Sequence, residues 1–329
     1  MFGDDIFLCA KIDDTQSLLE AINDIDLNVT DEANESLLHY TVKFNSLEFA
    51  RLLLMHNAKP NIKNNNGDTP LMLACKMGKE NFIKLFLKFN VDINDKNNFG
   101  ETALHMALLN GNLEIIKLLI NDKTDLFQLT DSNRSIAHYA VKSGKINVLK
   151  YVIEKCNTNV NETDGLGNTL LHYACQVNSF DIVDYLLKLG ASVHIKNNQG
   201  ETPLFVAVRY ATLNIVDYLV QEGAIADLQN MFDETVYEVA REDAKEYIDS
   251  LKYSLDYQKY LEGYPLHVAV MQSDYVYAEK LLKINSKTNR KDSFGHTALE
   301  YAIQMKDEKM IKLLTNKKWD STESLFICI

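Results

Sequence analysis

The sequence predicts an all-α repeat solenoid. Three observations carry this: a short pattern returns every 33 residues, turn residues recur at set places within each copy, and paired apolar positions follow each first helix. The pattern is Thr-x-Leu-His-x-Ala. Its first position falls at Ser36, Thr69, Thr102, Ser135, Thr169, Thr202, Thr235, Tyr264 and Thr297, so the successive spacings are 33, 33, 33, 34, 33, 33, 29 and 33 residues. A degenerate copy precedes them, with Ala10 in the Ala place and Leu18-Leu19 in the second helix.

Each recurring residue has a physical task. The Thr or Ser can cap a helix with its hydroxyl. Pro70, Pro203 and Pro265 stand at the first helical position, where a missing N–H costs nothing. The small Ala five residues on (Ala74, Ala107, Ala140, Ala174, Ala207) lets neighbouring helices approach closely. Gly78, Gly111 and Gly144 suit the left-handed residue that ends that helix. A second helix follows, marked by Leu52-Leu53, Leu85-Phe86, Leu118-Leu119, Leu186-Leu187 and Leu313-Leu314. A polar stretch then leads to Gly67, Gly100, Gly167, Gly200 or Gly295, two residues before the next cap. Where that Gly is missing, Asn34, Asn133 or Asp233 replaces it, the side chains that best tolerate positive φ.

One such unit cannot bury its own apolar face, but a stack buries a continuous core. Thr69-Pro70-Leu71, Thr102-Ala103-Leu104-His105-Met106-Ala107 and Thr169-Leu170-Leu171-His172-Tyr173-Ala174 resemble the ankyrin-repeat family. The resemblance covers essentially the whole chain. It implies nine to ten repeats, each a helix-turn-helix plus a β-hairpin finger, in a single array over 1–329. Within it, 1–34 is a degenerate N-terminal cap repeat, 35–234 holds regular repeats and 264–318 the last two. The unit at 235–263 is irregular: only 29 residues separate Thr235 from Tyr264, which implies a lost finger and a longer second helix. Residues 319–329 form an apolar cap or tail.

Composition narrows the function. Apolar residues make up 46% and charged residues 24%, enough to bury a core. The net charge of −12 argues against nucleic-acid binding. Residues 223–262 carry a net −6 and residues 280–318 a net +6, read first as solvated helix faces. No run of about 18 apolar residues exists, so membrane insertion is not expected. The five cysteines are odd in number and lack a Cys-x-x-Cys pair, which argues against a disulfide framework or zinc site and for a reduced, cytoplasmic setting.

Five of the eight histidines (His39, His105, His138, His172, His267) share one repeat position, where the resemblance assigns a structural role. His56, His194 and His296 read as isolated. Cys75 and Cys175 read as small buried hydrophobes. With no nucleophile, metal or phosphate motif, no catalytic residue, metal or cofactor is expected, and the chain is not read as an enzyme.

The resemblance places partner binding on the finger tips and the exposed part of each first helix. By position these are Phe44, Met77, Phe99, Leu109, Leu166, Val177, Arg209, Tyr210 and Phe232, with Lys43, Lys76 and Lys142 at the rim. Exposed aromatics and Arg are common interface anchors. The expected function is a non-catalytic module, monomeric by itself, that binds a protein of unknown identity. The alternative is an inhibitor or immunity protein, or an effector delivered to a host cytosol, that blocks an enzyme.

Overall fold

The computed structural model describes residues 3–89, 91–251, 260–283 and 288–316. The expected tail at 319–329 and most of the expected helix extension at 252–259 lie outside them. The chain divides into two compact units, Met1–Thr158 and Asn159–Ile329.

The first unit is built from helix pairs: α1 (Gly3–Ile12) with α2 (Thr15–Ala21), α3 (Leu37–Phe44) with α4 (Leu47–Met55), α5 (Pro70–Lys76) with α6 (Glu80–Phe86), α7 (Ala103–Asn110) with α8 (Leu113–Leu119), and α9 (Ile136–Lys142) with α10 (Ile146–Cys156). First helices pack on first helices in chain order, and α2, α4, α6 and α8 do likewise. The second unit repeats the plan with α11 (Leu170–Gln176), α12 (Phe180–Lys188), α13 (Pro203–Tyr210) and α14 (Leu213–Gln221), then α15 (Val236–Val239), α16 (Glu242–Leu251), α17 (Pro265–Met271), α18 (Tyr275–Lys283), α19 (Ala298–Gln304) and α20 (Glu308–Leu314). Each unit is thus a helical repeat stack. Phe49, Phe82, Phe86, Phe205 and Leu53 fill the layers, and Ala74, Ala107, Ala140, Ala174 and Ala207 are fully buried between first helices.

The turn positions behave as their residue types require. Asn34, Asn133 and Asp233 have φ of 57°, 53° and 60°. The same conformation recurs after the first helix at Asn45, Asn178, Ser273 and Lys306, where no Gly marks it. The polar connections were expected as β-hairpin fingers. They are tight turns that close with isolated bridges at Thr30–Ser36, Thr163–Thr169, Gln229–Thr235 and Lys291–Thr297, and no longer strand occurs among the described residues. An Asx side chain five residues before the cap does the work of a strand partner. The Asn97 side-chain oxygen accepts the N–H groups of Phe99 and Glu101, both at 2.9 Å. Asp164 does the same for Leu166 and Asn168, and Asn197 for Gln199 and Glu201. Adjacent tips then share one backbone bond each, as from Asn98 N–H to Asn66 O and from Asp131 N–H to Phe99 O.

Of the shared histidines, His39, His172 and His267 fasten one repeat to the next. His39 Nδ1 accepts the Ser36 N–H at 3.1 Å and lies 2.9 Å from the Ser36 hydroxyl, while its Nε2 meets the Asp68 carbonyl at 2.9 Å. His172 repeats this with Thr169 and Glu201, the latter also at 2.9 Å. A carbonyl can only accept, so Nε2 carries the proton and the ring is neutral. The position-zero hydroxyl therefore serves the imidazole as well as the helix start. In the repeats with Glu238 and Glu300 at the histidine place, the carboxylate instead accepts the cap N–H at 2.6 Å. Where Phe205 stands there, the buried Thr202 hydroxyl finds no partner among the described residues.

The irregular unit departs further. Its first helix, α15, is four residues long, because the Arg241 N–H turns to the Val208 carbonyl of α13 instead of continuing the helix. Beyond it, the α17–α20 pairs reach loops of the same unit. The Phe294 ring covers Gly223 so closely that a Cβ there would lie 2.8 Å from it. His194, expected to stand alone, is buried edge-on to Tyr301 with ring centroids 4.6 Å apart. His296 is not alone either: its carbonyl receives His267 Nε2 at 3.1 Å. A cavity of about 140 Å³ lies between His194, Phe294, His296 and Tyr301.

Two outcomes follow. Burial holds His105 and His172 neutral by pushing their pKa from 6.5 down to about 4, and it lowers His39 and His267 as well. The unfolded chain binds protons near pH 6.5, so unfolding takes protons up and stability falls as pH drops from about 6.5 towards about 4. The loss is on the order of a few kcal/mol. Urea unfolding at pH 7 and pH 5 measures it, and a midpoint that does not move contradicts the neutral staple. Second, Gly100→Ala should cost more than Gly144→Ala. Both positions have positive φ, but a Cβ at Gly100 meets the Asp131 backbone N at 2.7 Å, whereas nothing lies within 4 Å at Gly144. About 1 kcal/mol is expected at Gly144 and roughly 2–3 kcal/mol at Gly100, and equal midpoint shifts in urea would count against it.

Candidate protein-binding face

Along the first helices, the residues seven and eight positions after the cap come last in the helix or just past it. Most of them face water, although Met271 is buried and Asn110 Nδ2 donates to the Lys76 carbonyl of the layer before. Phe44 ends α3, Met77 follows α5, and Leu109 lies in the last turn of α7; these three helices stack in order within the first unit. Tyr210 ends α13 in the second unit. The tip residues Phe99, Leu166 and Phe232 sit on the turns. Their backbone N–H groups are held by Asn97, Asp164 and Asn230, which leaves their side chains on the outside. Phe44, Met77, Phe99, Leu109, Leu166, Tyr210 and Phe232 are all between 40% and 61% exposed.

Two residues differ from the sequence-based expectation. Val177, the C-cap of α11, is half-buried. Arg209 is no free rim cation. Its guanidinium forks onto the carboxylate of Glu201, at 2.9 and 2.6 Å, and Glu201 is almost fully buried at the base of the neighbouring turn. The hydrogen bonds to Glu201 hold the Arg209 charge above its usual range. Arg209 thus ties helix to turn and positions Tyr210 beside it. Phe294, the equivalent of Phe99 in a later repeat, packs on Tyr260 at 5.5 Å between centroids instead of pointing outward.

Other exposed apolar residues escaped the positional reading. Met231 stands next to Phe232 on its turn, and Phe127 and Leu129 lie on the connection after α8. The Met231 position is polar in most other copies (Asn65, Asn98, Asp131, Asn198), so periodicity gave no hint of it.

Burial pushes the Cys75 and Cys175 thiols up, away from nucleophilic use. Among the described residues, no three His, Cys, Asp or Glu side chains come together as a metal-holding group. No helix among them is long and apolar enough to cross a membrane.

Comparison with known families accords with this architecture. The profile for ankyrin repeats matches in three copies, over residues 6–97, 81–164 and 137–230. These matches together span more than half of the chain and coincide with the capped helix pairs described above, and the chain therefore belongs to the ankyrin-repeat family.

Proposed function

We propose that this protein is a non-catalytic binding module that holds a protein partner against its turn tips and first-helix ends. Ankyrin repeats are in general protein–protein interaction modules. The observation that carries the reading is the set of large apolar side chains held in water at equivalent repeat positions: Phe44, Met77 and Leu109 on the helix ends of three successive repeats, Phe99, Leu166 and Phe232 on the turns of alternate repeats, and Tyr210 beside the Arg209–Glu201 pair. Their backbones are fixed by the Asx turns and helix caps, so little ordering is left to be lost on binding. Val177 contributes at the margin. The reading includes the nine to ten repeats implied by the 33-residue spacing and a cytosolic setting supported by the odd cysteine count.

Replacing Phe99, Leu109 and Tyr210 together by Ser should remove partner capture while leaving the melting temperature within a few degrees of the parent, since each side chain is largely in water. Pull-down with the purified full chain, quantified by mass spectrometry beside a circular-dichroism melt, is the measurement. Capture that persists in the folded triple variant takes these residues out of the site.

A further inference from the structure

We infer that the first-helix ends of residues 37–145 receive an acidic segment of the partner protein, one that also carries apolar side chains; this rests on the binding-face reading above. The helices α3, α5, α7 and α9, with the three residues that follow each, contain Lys43, Lys76, Lys79, Lys142 and Lys145 and no Asp or Glu at all. The second helices of the same unit are different. In α4, α6 and α8, Glu48 pairs with Arg51, Glu80 with Lys84 and Glu114 with Lys117, so charge is cancelled within those three helices. The unit as a whole is not basic: residues 1–158 hold twenty-one acids against seventeen bases. The positive charge is therefore a local band on one row of helix ends.

The band is held in place. Lys79 Nζ donates to Asn45 Oδ1 at 3.2 Å, and Lys145 Nζ donates to the Gly111 carbonyl at 3.0 Å. Lys11 Nζ lies 5.4 Å from the Tyr40 ring centre and 5.6 Å from that of Phe44. Lys142 lies 5.8 Å from the Tyr139 ring. Lys79 and Lys145 are each anchored by a neutral group that does not cancel the charge, whereas Lys43 pairs with Glu35. Between these cations stand Phe44, Met77 and Leu109. Successive stacked helices lie about 8–10 Å apart, so charge and apolar contact alternate at a spacing that an extended chain matches about every third residue. The turn before α3 carries Asp31 and Glu32 and no base, which repels an acidic chain there. A phosphate polymer would meet those same acids and would leave the three apolar side chains without a match, so the surface fits a protein.

Fluorescence anisotropy on the full chain tests this with labelled short peptides of three kinds: alternating Glu and Leu, alternating Lys and Leu, and alternating Glu and Ser. Binding of the Glu–Leu peptide alone is expected, at least about tenfold weaker in Lys76→Glu/Lys79→Glu and at high salt. Lys76 is exposed and Lys79 half-buried, and a matching circular-dichroism melt confirms that the variant folds; Lys142→Glu/Lys145→Glu serves as the second variant. Equal binding of the Lys–Leu peptide, indifference to both charge reversals, no binding of any peptide, or tighter binding of a single-stranded oligonucleotide or of anionic vesicles would each overturn the inference. If the acidic peptide fails while partner capture still depends on Phe99, Leu109 and Tyr210, the acidic partner falls alone; if that dependence fails too, the face itself falls.

Discussion

A helix pair with two apolar sides cannot hide either of them alone, and burial between successive pairs is the constraint on which this molecule depends. The fully buried alanines of the first helices set how near one layer comes to the next, and Phe49, Phe82 and Phe86 fill what remains. Helices of four to eleven residues are too short to be stable in isolation. They persist because each is the neighbour of another.

Close stacking brings backbone polar groups near the seam, and these need partners. The protein meets the need with one device repeated. An imidazole joins the cap of its own helix to a carbonyl of the next turn, as His39 does with Ser36 and Asp68 and His172 with Thr169 and Glu201. An Asx side chain closes each turn from within. The outcome is a set of rigid tips that need no strand. Because the core consumes the inward residues, the outward set is left holding large apolar side chains in water.

The second unit shows what happens when the period is broken. With 29 residues in place of 33, the α15 helix stops early and the α17–α20 pairs meet the loops after α12 and α14 through Phe294 and Tyr301. Burial at that seam pushes His194 down to about 3 and leaves it neutral. Nothing in the repeat rule anticipates a contact between His194 and Tyr301, which lie more than three repeats apart.

The amino-acid sequence by itself determined the helix pairs, the caps and the left-handed turns. Those are local: a Pro, a Gly or an Asn dictates the conformation of its own few residues, and a 33-residue period repeats the instruction. The same periodicity showed which residues would stand outside, so that Phe44, Met77, Phe99, Leu109, Leu166, Tyr210 and Phe232 could be picked by position. Only the tertiary structure decided that Arg209 would be taken by Glu201, that Val177 would be half-covered, that Phe294 would turn inward where its counterpart Phe99 turns out, and that the connections would be Asx turns with single bridges. Each of these depends on which side chain from another helix or turn arrives within a few ångströms, and a one-dimensional pattern carries no record of that distance.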